Sequence, residues 1–84
     1  MSQYFFKRNY TPADIAEVKE WFDARWDRLP RRLDLNEATV YEDLPATLQA
    51  YFEIYKIHGE KPAFAGQLHQ IFLIRDRLIA NGME

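Results

Sequence analysis

The chain has 84 residues, of which 48% are hydrophobic, 15% aromatic and 29% charged, which suits one globular domain over residues 1–84 and excludes a disordered segment. It contains no cysteine, which excludes a disulfide framework, a thiol nucleophile and a thiolate metal site. The formal net charge of −2 has the wrong sign for strong non-specific binding to nucleic acid.

The N-terminal segment, residues 1–10, is expected to be extended chain without a targeting signal. Its aromatic run Tyr4-Phe5-Phe6 comes before Lys7, whereas a secretory signal places its charge before the apolar stretch. The longest strictly apolar run, residues 71–74, is four residues long, and a membrane-spanning helix needs about 20. We therefore expect a soluble, cytoplasmic protein that does not enter a membrane.

The first helix is predicted over residues 12–27. Thr11 can cap it, Pro12 suits the first helical position, and Asp14 stands in capping-box register with Thr11. The segment ends before Pro30, because the residue that precedes a proline is driven out of the helical conformation. Apolar residues recur at steps of three and four, the period of one helix face: Ile15, Val18, Phe22 and Trp26.

The connection that follows, residues 33–41, has a weak strand pattern. Leu33 and Leu35 alternate with Asp34, and the run 39–41 is β-branched and aromatic. Both runs are very short, so the pattern leaves two alternatives, extended chain or a minimal β-ribbon, and it favours extended chain.

Two further helices are predicted over residues 44–58 and 62–80. Asp43 and Gly59 are the expected caps of the second helix, and Asn81-Gly82 ends the third. Amphipathic helices of this length need one another to be stable, so the expected fold class is all-α, a small three-helix domain with an extended connection or minimal β-ribbon between helices 1 and 2. The third helix has the longest apolar face of the chain: Phe64, Leu68, Ile71, Phe72, Leu78 and Ile79.

The second helix has more apolar surface than one helix face can hold. This surplus is buried if the second helix is central and contacts both of the others; otherwise it is a site for a partner or a second copy. The apolar residues form two adjacent stripes, the first with Leu44, Leu48, Tyr51, Phe52 and Tyr55 and the second with Ala50, Ile54 and Ile57.

Trp21 on the first helix and Leu73 on the third lie away from the apolar faces of their helices. Arg25 and Arg28 follow Trp21 by one and two turns, which can make a cation–π or stacking platform for a peptide or a base. The alternative is that Tyr4-Phe5-Phe6 folds back over the indole. The candidate binding residues are therefore Trp21, Arg25, Arg28 and Leu73.

Arg75 falls in the middle of the predicted apolar face of the third helix. A guanidinium group there needs a partner or a path to water, and no acidic residue lies three or four positions away. We predict a buried ion pair with Asp34, Glu42 or Asp43, which would fix the first connection against the third helix. The alternative is that Arg75 binds an anion or a carboxylate.

The chain carries no recognisable catalytic or metal-binding pattern. His58 and His69 are eleven residues apart with a helix break between them, and neither has a His or carboxylate partner at helical spacing. Ser2 is the only serine, and the three glycines are too dispersed for a phosphate-binding loop. We therefore expect no enzymatic activity, no cofactor and no metal ion.

The segment from Trp21-Phe22 onward resembles a known family. The residues that carry the resemblance are Leu29-Pro30, Leu33, Leu35, Thr39-Val40, Asp43-Leu44-Pro45, Pro62, Phe64, Leu68, Ile71 and Leu78. Over residues 15–79 the chain is similar to a short bacterial domain of unknown function that occurs in small stand-alone proteins, often from Bacteroidetes. The resemblance implies a helical domain, and it implies no activity, cofactor or functional residue.

These patterns favour a non-enzymatic protein–protein interaction module, either a homodimer or an adaptor for another protein. The signals are the apolar surplus of the second helix together with Trp21 and Leu73. The second hypothesis is a weak nucleic-acid-binding domain, against which the net charge and the position of Arg75 argue. It would use the basic stretch Arg25–Arg32, which contains Arg25, Arg28, Arg31 and Arg32.

Overall fold

Three α-helices and a two-stranded ribbon make up residues 10–84, the part of the chain that the computed structural model describes. This arrangement confirms the predicted small helical domain with a minimal ribbon between the first two helices. The expected extended segment before Tyr10, and the expected cover of Tyr4-Phe5-Phe6 over Trp21, lie outside the described residues. In chain order the elements are α1 (Pro12–Ala24), β1 (Leu33–Asn36), β2 (Thr39–Tyr41), α2 (Leu44–His58) and α3 (Ala65–Ala80).

α1 begins with a complete capping box and ends earlier than the sequence pattern indicated. The Thr11 hydroxyl accepts from the Asp14 N–H at 3.1 Å, and the Asp14 carboxylate accepts from the Thr11 N–H at 3.1 Å. After Ala24 the chain tightens into a 3-10 turn over Trp26–Arg28. Leu29 is already extended at φ −68° and ψ 136°, as a residue before proline must be, so the α-helix has no room to continue to residue 27.

The connection forms an antiparallel ribbon, and extended chain, which the short runs favoured, is not what the chain adopts. Leu33 pairs with Tyr41, and an irregularity follows Asp34. The Asn36 carboxamide oxygen accepts from the Ala38 N–H at 2.8 Å, which folds the tip locally. Leu33 and Leu35 are both buried, so the ribbon uses its period of two to put one face against the helices.

α2 and α3 are joined by a short turn in which glycine and proline have clear tasks. α2 ends at Gly59, whose φ of 68° is in the left-handed region that favours glycine. The chain then makes a 3-10 turn over Pro62–Phe64, closed by the Phe64 N–H on the Lys61 oxygen at 2.9 Å. α3 therefore starts at Ala65, and residues 62–64 belong to the turn instead.

α3 is the central helix of the domain, and the expectation that α2 would be central is wrong. α3 packs on α1, on α2 and on β1. α1 and α2 meet through an edge-to-face contact of Phe22 with Phe52, whose ring centroids are 6.0 Å apart. Because α2 has only one close helical neighbour, part of its apolar surplus stays at the surface, and Ile57 is 67% exposed.

The buried face of α3 is rotated from the face that the sequence indicated. Ile74, which the helical projection placed beside the face, is fully buried, whereas Ile79, which it placed within the face, is 48% exposed. The neighbours of α3 are two helices and a ribbon, so its contact surface is broader than one stripe and its centre is set by all three. The buried residues of α3 are Leu68, Ile71, Ile74 and Leu78.

Candidate functional site

Trp21, Arg25 and Arg28, three of the four predicted binding residues, lie together at the end of α1. The Arg25 guanidinium carbon stands 4.4 Å from the centre of the Trp21 ring, and its Nη1 donates to the Trp21 main-chain oxygen at 2.9 Å. Arg25 Nε and Arg28 Nη2 both donate to the main-chain oxygen of Glu84, Arg28 at 3.2 Å. We call Trp21, Arg25 and Arg28 the arginine clamp.

The local backbone explains why the two arginines of the clamp converge. Side chains three residues apart eclipse each other in a 3-10 turn, and Arg25 and Arg28 are the first residues before and within that turn at this spacing. The turn follows the C-terminus of α1, whose carbonyl oxygens favour a nearby cation. Trp21, one helical turn earlier, is half-buried against the core and meets Phe22 edge-to-face at 5.1 Å, so the indole is held in place.

The residue that the clamp holds, Glu84, was not foreseen from the sequence. It is delivered by the turn after α3, where Gly82 has a φ of 104° and the Met83 N–H donates to the Leu78 oxygen at 3.0 Å. The Met83 side chain then packs on the core. The only sequence signal for this arrangement is Gly82 as a helix stop, which says nothing about where the next two residues go.

Leu73 is not part of the clamp and is not the exposed residue that the sequence indicated. It is half-buried, packs on the core and lines a groove of about 530 Å³ between α3 and β1. Because the buried face of α3 is rotated, the side of the helix that carries Leu73 points towards the ribbon. The candidate binding residues therefore fall in two separate places.

The predicted ion pair between Arg75 and the first connection does not form, and that prediction is wrong. Of the three candidate acids, Asp43 pairs with Arg31 at 3.6 Å, while Asp34 and Glu42 pair with Arg32 at 3.5 and 3.0 Å. The nearest carboxylate to Arg75 is that of its neighbour Asp76 at 3.8 Å, and the side chain is 27% exposed. The rotation of α3 places Arg75 at the edge of the core, where its guanidinium carbon lies 5.3 Å from the Phe72 ring centre and its buried Nε has no acceptor among residues 10–84.

Arg77 takes the role that the sequence gave to Arg75. Its Nη2 donates to the main-chain oxygen of Leu35, which ties β1 to α3. A sequence pattern cannot show this contact, because any residue at position 35 would offer the same oxygen. Sequence reasoning therefore found the need for an arginine between the connection and the third helix and chose the wrong one.

A second candidate surface is a groove of about 540 Å³ between α1 and α2, which we call the aromatic groove. Trp26, Phe52 and Tyr55 line it, and all three are half-buried. One wall carries Lys19 and Asp23 and the other carries Gln49, Glu53 and Lys56. Each wall is internally paired: Lys19 meets Asp23 at 2.9 Å, and Lys56 meets Glu53 at 4.0 Å.

A third cluster surrounds the start of α1 and contains titratable groups. The Tyr10 ring stacks on Phe72 at 4.3 Å, and its hydroxyl shares a hydrogen bond of 3.1 Å with Nδ1 of His69. Burial lowers the pKa of His69 and raises that of Tyr10, while the negative charge of Asp76 opposes the first shift and adds to the second. The cluster is built as packing, since both rings cover the core.

Tyr41 at the end of β2 is the most strongly shifted group with a stated value. Its hydroxyl donates to the Gln70 side-chain oxygen of α3. Burial, together with the neighbouring Tyr51, raises the pKa of Tyr41 to about 12. The phenol therefore stays neutral and acts as a hydrogen-bond donor that holds the ribbon. Among residues 10–84 no group of three or more His, Cys, Asp or Glu side chains is placed to hold a metal ion.

The fold and these surfaces define a small helical domain with a ribbon insert, and in its described part no helix is both long enough and apolar enough to cross a membrane. The chain belongs to the family described as Domain of unknown function (DUF6965), which matches residues 13–80. The match confirms the predicted membership of a domain family of unknown function; it includes the helices, the ribbon and the arginine clamp, and it ends before Glu84. Comparison with curated proteins and with solved structures gives no match.

Proposed function

We propose that this chain is a non-enzymatic, cytoplasmic protein–protein interaction module that binds an amphipathic helix of a partner in the aromatic groove. The observation that carries the proposal is the groove itself, with three half-buried aromatic rings between charged walls. Aromatic anchors inside a polar rim are the usual composition of a protein-binding hot spot. A slot between two helices that both pack on a third has the shape that an added helix fills.

The charges of the groove favour an apolar partner surface. Lys19 is paired with Asp23 on one wall and Lys56 with Glu53 on the other, so neither wall presents an unbalanced charge. A strongly acidic or basic ligand would gain little at such a site. The Lys19 ammonium also lies 5.8 Å from the Phe52 ring centre, which keeps this charge over the aromatic floor.

The arrangement of the basic stretch Arg25–Arg32 supports a protein partner over nucleic acid. Arg31 and Arg32 are paired with acids of the ribbon and of the α2 cap, and Arg25 and Arg28 hold the main-chain oxygen of Glu84. Phosphate binding would have to replace these contacts, and the chain as a whole carries a net charge of −2. Bacterial origin stays a prediction of the resemblance.

The proposal is tested with a designed helical peptide whose leucines lie at positions i, i+4 and i+7, and with the same peptide carrying glutamine at those positions. Amide and indole resonances of the ¹⁵N-labelled full chain are followed during titration. We expect the leucine peptide to shift Trp26 and its surroundings, and the glutamine peptide to shift nothing. Shifts that lie elsewhere, or that both peptides cause, would contradict the proposal.

Two substitutions on α2 supply the matched comparison. Tyr55→Gln removes a ring from the groove, whereas Ile57→Gln removes an exposed side chain from the same helix outside the groove. We expect the first to weaken binding about fivefold or more and the second to leave it unchanged. Sedimentation of the chain alone, before and after Tyr55→Gln, separates one further outcome: self-association lost with the ring would assign the groove to a second copy instead.

A further inference from the structure

We infer that the arginine clamp is a binding site for a carboxylate group of a peptide. The site shares no residue with the aromatic groove, and its ligand is of a different chemical class. The inference starts from what the clamp already does, because two guanidinium groups converge on one oxygen of a peptide backbone, that of Glu84. An oxygen acceptor of the chain itself thus marks where a ligand oxygen would lie.

The charges of the clamp are unbalanced, unlike those elsewhere on this side of the domain. Arg31, Arg32 and Arg75 each lie within 4 Å of a carboxylate side chain. Within the described part of the chain, Arg25 and Arg28 are each paired with main-chain oxygens alone. A main-chain oxygen of a peptide group carries only a partial charge, so two full positive charges remain to be compensated at this spot.

The geometry of the clamp suits a planar, two-oxygen anion. Arg25 is held by its stacking on Trp21 and by its bond to the Trp21 oxygen, so its free edge is fixed in direction. Arg28 is exposed and uses a single nitrogen on Glu84, which leaves the rest of its fork available. A carboxylate can place one oxygen where the Glu84 oxygen lies and the other on the free donors of Arg28, with a gain in charge compensation.

Residue 84 therefore competes with any external carboxylate for the clamp. Met83, which packs on the core, keeps residue 84 at a high local concentration next to the two arginines. Loosening Met83 should raise the affinity of the clamp for an external ligand, because the competing segment would spend less time in place. The chain then contains both a site and an internal occupant that regulates access to it.

The test titrates the ¹⁵N-labelled full chain, at low salt, with acetyl-Gly-Ala-Ala that carries a free C-terminal carboxylate. The comparison peptides are its C-terminal amide and acetyl-Gly-Glu-Ala-amide, which offers a side-chain carboxylate only. We expect shifts of the Trp21 indole and Arg25 Nε–H resonances, an affinity about tenfold higher than that of the amide, and weakening by added salt. Equal affinity of the two carboxylate peptides supports a general carboxylate site, and binding of the first alone supports recognition of chain ends. Equal affinity of the amide overturns the inference.

Three variants complete the test. Arg28→Gln should weaken binding of the free-carboxylate peptide about tenfold, whereas Arg31→Gln, a neighbouring arginine that pairs with Asp43, should not change it. Met83→Ser should tighten binding several-fold, because it frees the clamp. If Arg28→Gln has no effect, the clamp is not the site. If Met83→Ser leaves the affinity unchanged while Arg28→Gln lowers it, the carboxylate site stands and the internal competition is refuted.

Discussion

Arginine side chains in this domain hold main-chain oxygen atoms as much as they hold acids. Arg25 and Arg28 meet the Glu84 oxygen, and Arg77 meets the Leu35 oxygen. Such bonds are directional and charge-assisted, and they join segments more than 40 residues apart in the sequence. They also explain why Arg77 escaped prediction: an acceptor that every residue possesses leaves no mark in a sequence.

Replacing Arg77 by methionine should destabilise the domain, whereas replacing Arg75 by methionine should not. The first change leaves the main-chain oxygen of the buried residue Leu35 without its charged donor, at a cost of about 1.5 kcal/mol. The second removes a buried Nε that has no acceptor among residues 10–84 and keeps the packing on Phe72. Urea denaturation midpoints of the two variants measure the difference. A larger loss for the Arg75 variant would refute this assignment of roles.

His69 should make the stability of the domain depend on pH just below neutrality. Its pKa is lowered from the ordinary value of 6.5 by burial, so the unfolded chain takes up the proton first as the pH falls. The free energy of unfolding should therefore be constant above about pH 6.5 and decrease below it, down to the pKa of the folded state. Thermal denaturation at a series of pH values, with His69→Gln as the comparison, measures this. An unchanged slope in the His69→Gln variant would assign the effect to another group.

At the scale of the elements, local signals were readable and non-local ones were not. The caps Thr11 and Asp43 and the stop Gly59 act within three or four residues, and each stands where the sequence indicated. The ribbon depends on cross-strand pairing between Leu33 and Tyr41, and a run of three or four residues carries too little pattern to predict that.

The two side-chain caps should differ in strength. Thr11→Ala removes a reciprocal pair of 3.1 Å bonds with Asp14 and should cost about 1 kcal/mol. Asp43→Ala removes a single longer bond of 3.4 Å to the Ala46 N–H and should cost less. Chemical denaturation of the two variants compares the losses, and an equal or larger loss for Asp43→Ala would show that bond length and reciprocity do not decide the strength of these caps.

At the scale of the whole molecule, the domain is organised around α3, which contacts both other helices and the ribbon. The sequence predicted three amphipathic helices correctly because each helix carries its own period. The choice of central helix and the rotation of α3 are properties of the assembly, so Ile74 and Ile79 were placed the wrong way round. The same rotation moved Leu73 to the ribbon side and Arg75 to the edge of the core, which is why the predicted site residues divide between two surfaces.

The organisation around α3 is tested by one substitution made at two positions of that helix. Ile74→Ala empties a fully buried site between the packed elements and should cost about 3 kcal/mol, a large share of the roughly 4–13 kcal/mol expected for a domain of this length. Ile79→Ala shortens a side chain that is 48% exposed and should cost about 0.5 kcal/mol or less. Both variants keep the helix propensity equal, so the difference in their urea midpoints reports burial alone. If the two losses are alike, or if the order is reversed, α3 faces its neighbours through the side that the sequence pattern indicated, and the positions of Leu73, Arg75 and Arg77 must be reassigned with it.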